Sequence, residues 1–284
     1  RASISIEFIH IFLLIHDDII DQDEKRHGVT TIHNHYKNIG KRFIKNRDPE
    51  HFGNSMGIII GDMIGALGNQ ILYESKFEPS LIVKALIKLQ SIVSLTCVGE
   101  TEDVLIENTG MASEEKVLRM YENKTARYTI EGPLHLGAIL AGAGSKFLKV
   151  LSAYSVPIGI AFQIQDDILG IFGNEKKIGK PVGSDVRQGK QTILVVKALE
   201  KADSRQKKII NSLLGKKDLT AKDLETFKTI ITETGSLDYS RKLSERLVEK
   251  GKRALKVSGS GVKMKKEAEE FLLGIGDYII NRTV

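Results

Sequence analysis

Ile11-Phe12-Leu13-Leu14-Ile15-His16-Asp17-Asp18-Ile19-Ile20-Asp21 joins an apolar helical run directly to three aspartates. Side chains at i and i+4 of a helix share a face, so Asp17 and Asp21 converge while Asp18 turns aside. Carboxylates crowded at the end of a buried segment repel one another and resist desolvation unless a cation neutralises them. The pattern recurs where Ile158-Gly-Ile-Ala-Phe162 leads through Gln163-Ile164-Gln165 to Asp166-Asp167. Mg²⁺ prefers one or two carboxylates, with water and substrate phosphates completing its shell. Two such clusters facing each other across a bundle would hold a diphosphate through several Mg²⁺ ions.

Outward from these segments, helical periodicity dominates and no stretch of strict alternation stands out as a strand. The pattern predicts helices near 2–22, 52–74, 79–99, 113–129, 131–142, 146–172, 190–202, 204–214, 220–234, 236–256 and 263–281. Helices of about twenty residues are roughly 30 Å long, enough to wall a deep cavity. Asn46-Arg-Asp-Pro49, Glu78-Pro79, Gly173-Asn174 and Gly179-Lys-Pro181 punctuate them. With no linker, low-complexity tract or fixed-period repeat, the expectation is an all-α, single-domain bundle of long helices around a central cavity, spanning residues 1–284. Arg1-Ala-Ser-Ile-Ser-Ile reads as the inside of a helix without an N-cap, which predicts further residues upstream.

The 284 residues are 41% hydrophobic and 27% charged, ordinary for a globular protein. The single cysteine, Cys97, cannot form an internal disulfide and fits a reducing cytoplasm. No uninterrupted apolar run approaches the ~18 residues of a membrane span, so no transmembrane segment is expected. The net charge of +6 is uneven: residues 201–270 hold 18 Lys/Arg against 11 Asp/Glu. Those lysines alternate with acidic and apolar residues at helical spacing, as on solvated helices, so nucleic acid is not the expected partner.

Several polar residues could serve the acidic groups. Arg26, in Asp23-Glu-Lys-Arg26-His27-Gly28, puts a guanidinium just beyond the first cluster, suited to bidentate phosphate binding or to local pairing with the acids. His10 precedes Asp17 by two helical turns and lies near its face. Lys124-Thr125 places an ammonium beside a hydroxyl. Gly179-Lys180-Pro-Val-Gly183-Ser-Asp185, followed by Gly189-Lys190, offers two lysines among glycines that permit close backbone approach.

Taken in order, the two acidic clusters, Phe162-Gln163-Ile-Gln165-Asp166-Asp167, the Lys124-Thr125 pair and the Gly-Lys loop resemble the trans-isoprenyl diphosphate synthases, most of all the archaeal short-chain enzymes that make geranylgeranyl diphosphate. The resemblance covers essentially the whole chain and implies an isoprenoid-synthase type helical fold. It implies two Mg²⁺ ions at the first cluster and a third at the second, with Asp17, Asp21 and Asp166 as ligands. Asp18 and Asp167 become supporting carboxylates. Arg26, Lys124 and Lys180 match positions that contact the allylic diphosphate, and Lys190 lines the same mouth. His10 matches a position for the diphosphate of isopentenyl diphosphate. Thr125 and Gln163 lie where the reacting carbons are held. Phe12, five residues before Asp17 and roughly 7.5 Å back along a helix, matches the position whose aromatic ring limits product length. A cytoplasmic homodimer is implied as well.

The chain departs from that family at three points. His27 replaces a second arginine that contacts isopentenyl diphosphate, and imidazole carries less charge near neutral pH. Gly170 stands where many members have the last aspartate of the second cluster. A Gly-Gly-Lys-x-x-Arg-Pro segment ahead of the first cluster is missing. Rival expectations are a non-catalytic subunit of the same family, a farnesyl diphosphate synthase, a class I terpene cyclase and an HD-type phosphohydrolase prompted by His16-Asp17. The cyclase reading lacks its second metal motif, and the phosphohydrolase reading leaves Asp166, Asp167, Lys124 and Lys180 without roles.

Overall fold

Four glycines at four-residue intervals, Gly53, Gly57, Gly61 and Gly65, set the packing of the first part of the molecule. They lie along one face of α3 (Pro49–Tyr73), which begins at Asp48, whose side chain accepts a hydrogen bond from the Glu50 N–H, with Pro49 in the first turn. A Cβ at Gly61 would lie 2.4 Å from His16 Nε2, and one at Gly57 would lie 2.7 Å from Ile19 Cδ1. Both partners belong to α1 (Ala2–Ile20). At Gly53 a Cβ would meet the His33 carbonyl of α2 (Ile32–Phe43) at 2.4 Å. The stripe is a groove in which the other two helices sit closer than any side chain would allow. Between α1 and α2 runs an antiparallel hairpin, β1 (Lys25–Arg26) and β2 (Val29–Thr30), with Arg26 opposite Val29.

The computed structural model describes residues 2–45, 47–174, 182–256 and 264–282. The chain divides into two compact units, Arg1–Leu86 and Ile87–Val284, and the division falls inside α4 (Pro79–Thr109).

In the second unit α7 (Ser145–Phe172) is the central element, buried on most of its circumference from Leu151 to Ile171. Apolar residues all round a helix are the mark of one enclosed by others. Ile160, Ile164, Ile168 and Ile171 join a core with Val117, Met120 and Tyr121 of α5 (Glu114–Tyr121). α9 (Ile193–Lys201), α10 (Ser204–Leu213) and α11 (Ala221–Glu233) supply most of the rest of that core. Leu151, Tyr154, Ile158 and Ala161 form a second core with Val248 and Leu255 of α12 (Ser236–Lys256) and Leu272 and Ile279 of α13 (Lys266–Asn281). A ten-residue π-helical segment, Glu122–Glu131, and α6 (Gly132–Leu140) lead from α5 toward α7. The short α8 (Ser184–Gln188) precedes α9.

The all-α expectation holds, with four corrections. The hairpin and α2 were not anticipated, because α2 is rich in His, Asn and Lys and carries few apolar positions. Residues 113–129 are not one α-helix, since the backbone widens to π geometry from Glu122. α4 continues ten residues beyond the expected end, to Thr109. Gly99 there is a point of close approach rather than a helix terminator: a Cβ on it would lie 2.2 Å from the Lys124 backbone nitrogen. Three helices, Pro49–Tyr73, Pro79–Thr109 and Ser145–Phe172, are also long and apolar enough to cross a membrane by length and composition alone. Counting only unbroken apolar runs overlooked them.

Candidate active site

In the first unit, the last turn of α1 carries Asp17 and Asp18, Asp21 follows in the turn after it, and the hairpin folds Arg26 back onto Asp17 and Asp18. Arg26 Nε donates to Asp18 Oδ1 at 2.6 Å and its Nη2 donates to Asp17 Oδ2 at 2.9 Å. The turn that permits this has positive φ at both central residues, 50° at His27 and 77° at Gly28, the geometry of a tight two-residue hairpin loop. His27 is therefore exposed at the hairpin tip. Burial works against the charge on Arg26, yet Asp18 and Asp17 more than offset it and raise its pKa. Burial pushes the Asp18 carboxyl up, and burial together with Asp21 pushes Asp23 up to about 6. His10 is half-buried, and burial lowers its pKa while Glu7 opposes the shift.

Asp17 and Asp21 offer carboxylate oxygens within 4.8 Å of each other. An all-oxygen donor pair suits a hard cation such as Mg²⁺, and the guanidinium already lying on Asp17 shows that this end of α1 attracts positive charge. Phe12, one turn before His16, packs edge-on to its ring with centroids 4.9 Å apart. Its own ring covers Gly65, where a Cβ would lie 3.2 Å away.

In the second unit the π segment lies between two glycines. Gly99 of α4 meets the Lys124 backbone, and a Cβ on Gly159 of α7 would lie 2.4 Å from the Ala126 Cα. Single-turn π geometry recurs at functional sites, and here it sends adjacent side chains to different helices. Lys124 reaches α4, donating to Asp103 Oδ2 at 2.7 Å and pairing with Glu100 at 2.8 Å. Thr125 turns to α7, where its hydroxyl donates to Gln163 Oε1 at 2.7 Å. Lys190, beyond α8, also donates to Asp103 Oδ2, at 3.2 Å. Burial alone would raise the pKa of Asp103, but Lys124 and Lys190 prevail and lower it.

The two aspartates of the second cluster face different surroundings. Asp166 is partly exposed, and Arg282, just after α13, donates to it while lying 4.1 Å from the centroid of Phe162. Asp167 is buried: Gln163 Nε2 donates to its Oδ1 at 2.9 Å, and the Tyr121 hydroxyl donates to its Oδ2. Burial, reinforced by Asp185, pushes the Asp167 carboxyl well above the usual range. Gly170 has a reason of its own, since a Cβ there would lie 2.7 Å from Asp185 Oδ2. Asp185, delivered by α8, fills the space that an aspartate at 170 would need.

The profile of the polyprenyl synthetase family matches residues 1–231. The chain belongs to the polyprenyl synthetase family. The geranylgeranyl diphosphate synthase of Saccharolobus solfataricus is 34% identical to it, with 99% of this chain and 79% of that one aligned. The geranylfarnesyl diphosphate synthase of Aeropyrum pernix is 35% identical, over 98% of this chain and 81% of that one. Among solved structures, the geranylgeranyl pyrophosphate synthase of Corynebacterium glutamicum complexed with isoprenyl diphosphate and magnesium aligns at a TM-score of 0.92. It is 32% identical and covers 99% of this chain and 78% of that chain. This member of the polyprenyl synthetase family is a short-chain trans-prenyl diphosphate synthase, a prenyltransferase.

Within the first unit the structure thus groups Asp17, Asp18 and Arg26, with Asp21 in the turn just after α1. Within the second it joins Lys124 to Lys190 through Asp103, and Thr125 to Gln163 and Asp167. Lys180 lies outside the described residues. Sequence reading missed Asp103, Tyr121, Asp185 and Arg282. A signal existed for Asp103: Glu100, Asp103 and Glu107 form an acidic stripe at i, i+3 and i+7 near the end of a helical pattern. For Tyr121 the signal was a phenol at a core position, whose hydroxyl must find a partner. Arg282, near the end of the sequence, carried none.

Proposed function

We propose that this prenyltransferase condenses isopentenyl diphosphate with an allylic diphosphate, head to tail, and that geranylgeranyl diphosphate is its main product. The observation that carries the reading is the convergence of Lys124 and Lys190 on buried Asp103, beside the Thr125–Gln163 hydrogen bond. Two ammonium groups and a paired hydroxyl and amide are what a departing diphosphate and an adjacent allylic cation require.

Asp17, Asp21 and Asp166 are the proposed Mg²⁺ ligands, with Asp18 and Asp167 in support. Magnesium, when bound, neutralises the charge that develops on the leaving diphosphate. Lys124, Lys190, Arg26 and Lys180 are proposed to bind diphosphate oxygens, and His10 and His27 to serve the isopentenyl diphosphate side. The allylic C–O bond breaks with its electron pair leaving on diphosphate. The double bond of isopentenyl diphosphate then attacks the cation, and loss of a proton to the released pyrophosphate completes the addition. Thr125 and Gln163 present oxygens to the cation, in surroundings that must exclude water. Phe12 is proposed as the group that ends chain growth. A homodimer in the cytoplasm is part of the same reading.

Geranylfarnesyl diphosphate is the second reading for the product, favoured by the 35% identity to the Aeropyrum pernix enzyme. The test is incubation of the purified protein with Mg²⁺, labelled isopentenyl diphosphate and dimethylallyl, geranyl or farnesyl diphosphate, followed by chain-length analysis. Geranylgeranyl diphosphate as the dominant product supports the proposal. A longer main product favours the second reading, cyclised hydrocarbon or nucleotide hydrolysis favours a cyclase or phosphohydrolase, and no incorporation favours a non-catalytic subunit.

A further inference from the structure

Tyr121 is the most completely buried polar-tipped side chain beside the reacting groups, and nothing in the mechanism above uses it. Its hydroxyl oxygen accepts the backbone N–H of Ile193 at 3.0 Å, and its proton goes to Asp167 Oδ2. Ile193 is the first residue of α9, so this N–H has no intrahelical acceptor. A phenol that receives a helix N-terminal N–H is polarised into a better donor. Asp167 accepts from Tyr121 on one oxygen and from Gln163 Nε2 on the other, at 2.9 Å. Gln163 therefore has its NH₂ on Asp167 and its carbonyl oxygen on the Thr125 hydroxyl, at 2.7 Å.

We propose that Tyr121 is a positioning residue which, through Asp167, fixes the direction of the Gln163 amide and of the Thr125 hydroxyl. The inference deepens the proposed function and rests on it. With Asp167 held between Tyr121 and Gln163, the amide cannot turn over without facing its carbonyl to a carboxyl oxygen. The Thr125 proton is then committed to Gln163, and the lone pairs of its oxygen are the part left to face an electron-poor carbon. An oxygen so oriented stabilises a cation without itself donating a proton. When Tyr121 is lost, the carboxyl of Asp167 is released on one side and the amide rotates. The cation is then less well held, and water captures a share of it: its oxygen bonds to the allylic carbon, a proton departs to solvent, and prenyl alcohol forms alongside pyrophosphate.

The experiment measures pyrophosphate released per isopentenyl unit incorporated, with kcat, KM and melting temperature, in wild type, Y121F, Q163A and the double variant. Y121F removes one oxygen and keeps the ring, so the core packing stays. The expected result is a fall in kcat of roughly 2- to 12-fold, the size of one net hydrogen bond. KM should hold within about two-fold, and the ratio of pyrophosphate to incorporated isopentenyl units, one for perfectly coupled condensation, should rise above the wild-type value. In the Q163A background, Y121F should add nothing to that ratio, because it acts through Gln163. A Y121F ratio equal to wild type, or an effect that multiplies independently of Q163A, overturns the proposal. Loss of activity that only tracks a lower melting temperature, with the ratio unchanged, makes Tyr121 merely structural and also overturns it. Should wild type itself form no condensation product, the proposed function fails, and this inference with it.

Discussion

Lys124 and Lys190 donate to the same atom, Oδ2 of Asp103, at 2.7 and 3.2 Å. Two ammonium groups brought this close repel each other, and the buried carboxylate between them is what makes the arrangement stable. Removing it leaves two partly buried cations sharing a smaller set of acids, Glu100 and Glu107. The D103A variant should lose about 3 kcal/mol of stability, the usual cost of taking one partner from a buried ion pair. D103N, which keeps the shape and an acceptor oxygen, should lose less. Denaturant melts of the two variants check the order, and equal losses would mean that charge is not the cause.

Phe12 lies over Gly65 on the same helix face as His16. Truncating it to serine should lengthen the main product beyond that of wild type. Chain-length analysis reads this directly. Unchanged products from a folded F12S enzyme would remove Phe12 from length control.

The π segment is held by backbone approach at Gly99, where a Cβ would lie 2.2 Å from a main-chain nitrogen. Neither partner there is a flexible side-chain tip, so G99A should cost more than about 3 kcal/mol, as overpacking at backbone does at the upper end. G137A is the control, because Gly137 is an exposed helical residue and a Cβ on it would meet nothing within 4 Å. It should gain roughly 0.5–1 kcal/mol from helix propensity. Thermal melts of both proteins test the contrast.

His135 donates its Nε2–H to the Leu148 carbonyl at 3.0 Å and is buried beside Glu131 and Lys88. Burial, aided by Lys88, lowers its pKa below the ordinary 6.5. The unfolded chain therefore takes up this proton first as pH falls below about 6.5, and stability present at neutral pH is lost on acidification. H135Q retains a donor but does not titrate. Its melting temperature should fall less steeply than that of wild type between about pH 7.5 and 5. Parallel curves for the two proteins would assign the acid sensitivity to other groups.

The long helices were legible because their apolar residues recur at helical spacing and Pro, Gly and Asn punctuate the sequence between them. The hairpin at Arg26 and the π turn after Tyr121 were not, since each is imposed by what packs against it rather than by local preference. Asp17 and Asp21 could be paired from the i, i+4 rule alone.

The amino-acid order by itself determined the helical class, the two acidic groups and the candidate lysines, because these follow from periodicity and short spacings along one chain. Only the tertiary structure decided that Asp103 joins Lys124 to Lys190, that Asp185 takes the room vacated at Gly170, and that Tyr121 stands behind Asp167. Each of those contacts joins residues far apart in sequence, and their partners are chosen by burial and by the need to satisfy polar groups once water is gone, which no local pattern encodes.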